Sequence, residues 1–313
     1  ITRPSCLCEG NYSVTFCCSK VKFLFFAIHS RRLSADGNIF YYIKILTKKK
    51  KTMKKFIRST FSKITRLVLA FALIYVSMIF YLMLSERRIA FPRAIKHTEA
   101  RNAIQDTNLV KKVYCELPDE IFLEGFLAQH ENIPTVLYFP DSDEDAAQFM
   151  AETQNAKNVN RLTFNYRGSG ENKGTPSEKN FLADAELIAK CASRYSSKLI
   201  HIGRGTGAIP ATKTRTENTP LILIDPDENF AEKITSKYKI FFPKFLVHTA
   251  LTLTPEDFQG NAAILLLEDR SIHASKNETF KKNHPNIASR KREGQTLAEI
   301  LDLVILPATP KEK

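Results

Sequence analysis

The sequence has no tryptophan, only 11 glycines against 14 prolines, and six cysteines, four of them within the first 18 residues. So little glycine excludes a collagen-like chain, and a 43% hydrophobic content excludes a wholly disordered one. The cysteines lack zinc spacing. Cys6 and Cys8 form C-x-C, Cys17 and Cys18 are adjacent, and no histidine follows at the interval a zinc finger needs. No metal and no cofactor is expected. Acidic residues are also missing, but only locally. Residues 1–52 carry 10 Lys+Arg against 2 Asp+Glu, and residues 53–84 carry 5 against none. The remaining 31 basic and 31 acidic residues balance over 85–313. The net charge of +13 therefore sits in the N-terminal quarter, and the larger part of the chain has no nucleic-acid signature.

Within that quarter, residues 1–52 read as a basic leader. It begins at Ile1 and ends in Lys48-Lys49-Lys50-Lys51, just ahead of Met53-Lys54-Lys55. The expectation is that Met53 is the true start and 1–52 is non-native, with a disordered basic tail as the alternative. Residues 53–66 form a basic flank. Leu67–Leu84 then gives 18 residues with no charge and Ser77 as the one non-aromatic polar side chain. As a helix this run covers about 27 Å, close to the thickness of a bilayer's hydrocarbon core. Nothing resembling a small-x-small cleavage site follows it, so an uncleaved signal anchor is expected rather than a signal peptide. The membrane bilayer is thus a partner through Leu67–Leu84. Nine basic residues in 48–66 against four after the span (Arg87, Arg88, Arg93, Lys96) put the N-terminus in the cytoplasm and the C-terminal domain outside.

Residues 85–110 read as a linker and domain entry, and 111–310 as an α/β domain. Strands are expected at Lys112–Glu116, Ile121–Ala128, Thr135–Phe139, Arg161–Tyr166, Lys198–Gly203, Pro220–Asp225, Ala262–Leu267 and Asp302–Leu306. Helices are expected at Asp143–Thr153, Ser177–Ala192 and Ile272–Lys282. The first two strands form a hairpin across Leu117–Glu120. The later runs VLYF, LIHI, LILI and AILLL are apolar throughout, as strands of a parallel sheet covered on both faces should be.

The most specific stretch follows the fourth strand: Asn165-Tyr166-Arg167-Gly168-Ser169-Gly170, then Glu171-Asn172-Lys173-Gly174-Thr175-Pro176-Ser177-Glu178. Its glycines allow a tight exit from the sheet, Ser177 is a helix N-cap, and Asp184 lies seven residues into the next helix. Over about residues 86–310 the chain resembles the α/β-hydrolase superfamily. More closely, it resembles membrane-anchored, serine-aminopeptidase-like hydrolases, which carry a near-identical glycine-loop segment. Weaker likenesses follow in the right order at Arg88–Pro92, Pro134–Phe139, Lys198–Ala211, Leu221–Phe230 and Leu265–Asp269.

The resemblance implies a strained G-x-S-x-G turn, a histidine base, an acid to orient it and backbone donors for an oxyanion. The elbow here reads Gly203-Arg204-Gly205-Thr206-Gly207, with glycine in the nucleophile's place. The oxyanion turn reads Pro140-Asp141, where Pro140 has no N–H and Asp141 brings negative charge. Asp269 occupies the acid position. No histidine occurs after His284, and Lys311 falls at the base position, beyond the strand expected at 302–306. The expectation is a catalytically inactive relative, a pseudoenzyme that binds an unidentified small molecule or protein.

Two alternatives are kept. One is a hydrolase of esters, thioesters or peptides using displaced groups such as Thr206, Ser169 or His273. The other is a dinucleotide site, since Lys198–Ala208 spells a strand followed by G-x-G-x-G-A and Asp225 ends the next strand. His201 reads as a core residue, and His97, His130, His248 and His284 as surface. Cys115 and Cys191 would pair only outside the cytoplasm, and free buried thiols are expected because a strand and a helix separate them.

Overall fold

The computed structural model describes residues 38–91, 93–106, 109–130, 132–238, 247 and 249–305. The chain divides into two compact units, Ile1–Leu73 and Ile74–Lys313.

Helix α1, Asn38–Ala90, is one continuous helix. It takes in residues 38–52, so this part of the expected leader is helical rather than disordered; residues 1–37 lie outside the described residues. Over Lys44–Ser85 it holds a window of mean hydropathy 2.6, and little of that window is buried. Among the described residues, one helix is therefore long and apolar enough to cross a membrane.

The second unit is built on an eight-stranded sheet. In chain order the elements are α2 (Thr98–Asp106), β1 (Lys111–Glu116), β2 (Phe122–Ala128), β3 (Thr135–Phe139), α3 (Ala146–Glu152), β4 (Asn160–Phe164) and α4 (Glu178–Ala192). They continue with β5 (Leu199–Arg204), α5 (Ala208–Lys213), β6 (Leu221–Ile224), α6 (Phe230–Tyr238), β7 (Ile264–Glu268), α7 (Ala274–Asn283), β8 (Ala288–Lys291) and α8 (Leu297–Ile305). The strand order is β1-β2-β4-β3-β5-β6-β7-β8. β2 is antiparallel to both β1 and β4, and every pairing from β4 through β8 is parallel.

Side chains alternate across β3. Leu137 and Phe139 enter the core shared with Phe181 and Ile188 of α4, Ile209 of α5 and Ile234 of α6. Val136 and Tyr138 enter the opposite core, with Phe149 and Met150 of α3 and Leu297 and Leu301 of α8. That two-sided burial is why the central strands carry no polar stripe. Helix starts follow local chemistry. Asp145 caps α3 in a reciprocal box with Gln148, and the Ser177 hydroxyl accepts from the Asn180 N–H at the head of α4.

Three expectations need correction. Of the strand expected at Asp302–Leu306, residues 302–305 are the end of helix α8 and Leu306 lies outside the described residues; Leu297, Ala298, Ile300 and Leu301 form a helical stripe against the sheet. The true last strand is β8, ASRK, a polar edge strand held to β7 by backbone pairing. The region expected as linker contains α2, whose Ala100 and Ile104 are buried. Cys115 and Cys191 are not free thiols but form a disulfide: α4 packs over β1 and brings their Cα atoms to 6.0 Å, although 76 residues separate them in sequence.

Candidate functional site

β5 ends at Arg204, and a short 3-10 turn, Gly205–Gly207, leads directly into α5. Gly205 has φ +55, in the left-handed region. Gly207 backs onto the Phe139–Pro140 backbone, where a Cβ would lie 2.5 Å from the Pro140 carbonyl oxygen. These glycines make a tight elbow at the C-terminal edge of the sheet.

Asp141, on the loop after β3, fills the space above Gly205. A Cβ on residue 205 would lie 2.5 Å from Asp141 Oδ2. Asp141 Oδ1 accepts hydrogen bonds from the Thr206 hydroxyl (2.6 Å), the Ser142 N–H (2.7 Å) and the Thr206 N–H (3.3 Å), and pairs with Lys233 Nζ at 2.5 Å. Burial alone would raise its carboxyl; Lys233 and these hydrogen bonds hold it below the usual carboxylate range.

Asp269, after β7, is paired with Arg292 Nη1, and Arg292 also meets Glu152 at 3.0 Å. Arg204 joins the cluster from the elbow. It binds Glu144 (2.9 Å) and Glu152 (2.8 Å), lies 3.7 Å from Asp269 Oδ2 and 5.8 Å above the Tyr138 ring. Burial pushes the Glu144 carboxyl up, although Arg204 and the Tyr138 hydroxyl pull the other way. Arg292 lies one residue past β8. It, not Lys311, follows the last strand; Lys311 itself lies outside the described residues. Arg292 was missed from sequence because β8 carries no apolar signal.

No family model matches this chain, and no curated protein does. Solved structures do. An α/β-hydrolase from Vibrio vulnificus is 18% identical, covers 67% of this chain and 82% of its own, and gives a TM-score of 0.53. The fold is that of the α/β-hydrolases. An esterase from Pyrococcus furiosus (15% identity, 64% of this chain and 88% of its own, TM-score 0.45) is also similar. So is a carboxyl esterase from Tuber melanosporum (11%, 58% and 75%, TM-score 0.42).

The turns after β3, β5, β7 and β8 carry Asp141, Gly205, Asp269 and Arg292, so that a carboxylate lies over a glycine and a guanidinium meets the second carboxylate. Arg292 is held above its already high ordinary value: burial opposes its charge, but Asp269 and Glu152 outweigh that, so it supplies no base.

The other candidates are occupied. Thr206 Oγ1 donates to Asp141 and accepts from the Ser142 N–H (3.1 Å), and the side chain is fully buried. Ser169 Oγ accepts the Ala94 N–H at 3.1 Å. Ser142 Oγ lies 2.8 Å from Lys233 Nζ, a contact that resembles a serine–lysine dyad. Burial would lower the Lys233 ammonium, but Asp141 and Asp143 hold it above its ordinary value, which keeps its proton. His201 is buried, with Nδ1 3.0 Å from the Ala211 carbonyl oxygen. His284, expected at the surface, is buried against Phe258 and Phe280. His273 is half-buried at the start of α7. His248 lies outside the described residues. The Asp225 carboxylate accepts from the N–H groups of Asp269 and Arg270 (both 3.1 Å) and from Asn277 Nδ2 (2.7 Å).

The glycine loop holds the architecture. Arg167 makes a two-pronged pair with Asp184 (2.8 and 2.7 Å), and Tyr166 donates to the Pro140 carbonyl oxygen (3.1 Å), bracing the turn that carries Asp141. Gly168, Gly170 and Gly174 all have positive φ, and the Gly170 N–H donates to the Ala94 carbonyl oxygen at 3.0 Å. Pro176 precedes the Ser177 cap. Glu178 Oε1 accepts from the Thr249 hydroxyl (2.8 Å) and the Leu251 N–H (3.1 Å). Two surface cavities, of about 400 and 330 Å³, are lined by none of the elbow residues.

Proposed function

We propose that this chain is a membrane-tethered binding or scaffolding protein built on an α/β-hydrolase fold that has given up hydrolysis. One observation carries the reading: the Asp141 carboxylate, locked by Lys233 and Thr206, occupies the space a side chain on residue 205 would need. Catalytic groups of this fold act as a unit, and loss of the nucleophile and base together removes the covalent route. The lineage we infer is the membrane-anchored, serine-aminopeptidase-like branch, on the glycine-loop residues. Its partner would be an unidentified small molecule or protein.

Leu67–Leu84 would anchor the chain with the N-terminus cytoplasmic. The Lys/Arg excess before the span supports this orientation, as does the Cys115–Cys191 disulfide, a bond that persists in oxidising compartments. Carbonate washing tests the anchor: the full chain should stay with the membranes, and release of a form beginning near Ser85 would refute it.

A second reading, a hydrolase with displaced groups, is favoured by the Ser142–Lys233 contact. The full chain should take no label from a fluorophosphonate probe. Labelling that vanishes in Ser142→Ala or Lys233→Met would establish the second reading in place of the first.

A further inference from the structure

The stretch of α1 just before the apolar span is two-faced. At about 100° per residue, Met53, Phe56, Ile57, Phe61 and Ile64 fall within one sector about 140° wide. Lys55, Arg58 and Arg66 fall on the other side, with Lys54 and Lys63 at its two boundaries. All five apolar side chains are more than half exposed, Phe56 the most at 72%. No Asp or Glu occurs between Asn38 and Ser85, and the one acidic residue of α1, Glu86, lies beyond the apolar span from these cations. A second copy packed in parallel on the same face would set lysine against lysine. An apolar face this broad also exceeds the narrow seam of a two-stranded coil. What complements both faces is an anionic lipid surface, with acyl chains for the aromatic and aliphatic side and phosphates for the basic side.

We propose that residues 53–66 are a second membrane contact, lying on anionic phospholipid headgroups of the leaflet that Leu67–Leu84 enters. This rests on the reading of Leu67–Leu84 as a transmembrane anchor.

The test uses the full chain reconstituted in phosphatidylcholine vesicles carrying spin-labelled phosphatidylglycerol or spin-labelled phosphatidylcholine. The motionally restricted fraction reports which lipid the protein holds. The expected result is a preference for phosphatidylglycerol of about threefold or more in 0.1 M salt, fading at 1 M salt. It should be lost in the combined variant Lys54→Gln, Lys55→Gln, Arg58→Gln, Arg66→Gln. That variant should still resist carbonate extraction, because the span is intact. Equal association of the two lipids in the wild type overturns the proposal, as does a preference that survives the four substitutions. A wild-type dimer in detergent that Phe56→Ser with Phe61→Ser dissociates would assign the face to a second copy and overturn it too. Extraction of the wild type by carbonate would overturn the anchor itself, and the lipid contact with it.

Discussion

Replacing Gly205 with serine places a side chain at the apex of the elbow, where the structure leaves it no room. The residue would have to hold φ +55, which costs a non-glycine residue about 1–2 kcal/mol. Its Cβ would sit 2.5 Å from Asp141 Oδ2, so Asp141 must swing away from Lys233, the Thr206 hydroxyl and the Ser142 N–H. Loosening a charged hydrogen-bonded group of this kind costs about 1.5–3 kcal/mol more. The expected loss is therefore about 2.5–5 kcal/mol, and for a domain of this size Tm should fall by about 5–20 °C. Thermal unfolding of the full chain in detergent, followed by far-UV circular dichroism, reads it. Pairing Gly205→Ser with Asp141→Gly removes the obstruction. The serine should then cost only the backbone strain, giving a coupling of about 2 kcal/mol between the two sites. Gly205→Ser alone should hydrolyse p-nitrophenyl esters no faster than a denatured control. An unchanged Tm, a coupling near zero or clear turnover would each refute the reasoning, since each requires that Asp141 does not fill that space.

Further expectations concern the frame around the site. Arg101 makes paired contacts with buried Glu124 (2.7 and 3.0 Å) and buried Asp145 (2.7 and 3.1 Å); Arg101→Ala takes the guanidinium from both, leaving Lys112 (2.6 Å) on Glu124, and should cost about 3–5 kcal/mol in denaturant titration, whereas a cost under about 1 kcal/mol would mean that water reaches the cluster. Cys115→Ser with Cys191→Ser opens a long loop and should cost about 2–4 kcal/mol; free-thiol titration of unreduced native protein should find neither residue reactive, and finding both reactive would exclude the bond. Glu171, hydrogen-bonded by Lys112 and Lys96, has its carboxyl lowered from 4.5 to about 2. Its contribution is present above the unfolded value and is lost as pH falls from 4.5 towards about 2, so the stability gap between wild type and Glu171→Gln should close across that window. A gap unchanged at pH 2 would rule the pairing out.

How much of this was legible beforehand depended on burial. β3 runs over the expected Thr135–Phe139 because a strand covered on both faces has nowhere to put a polar residue. β8 is the opposite case: ASRK carries no apolar signal, and only backbone pairing with β7 makes it a strand. The apolar residues at the end of α8 were taken for that missing strand, although the spacing of Leu297, Ile300 and Leu301 is helical. One misplaced strand moved the expected base position to Lys311 and hid Arg292. The disulfide was illegible for a related reason, since separation along the chain says nothing of α4 folding back over β1. The turns that carry Asp141, Gly205 and Asp269 were legible because each follows a strongly apolar strand.

The charged residues around the elbow are more informative together than singly. A buried charge persists only if it is paired, and each charge here supplies a partner for another: Lys233 for Asp141, Arg292 for Asp269, Glu144 and Glu152 for Arg204. Arg292→His alone removes a charge that Asp269 and Glu152 both use. Asp141→Gly alone takes from Lys233 its nearest carboxylate, while Ser142 Oγ at 2.8 Å and the more exposed Asp143 at 3.3 Å remain. Each such single substitution should therefore give a less stable protein, and on this physical ground the ion pairs hold the elbow in its present form.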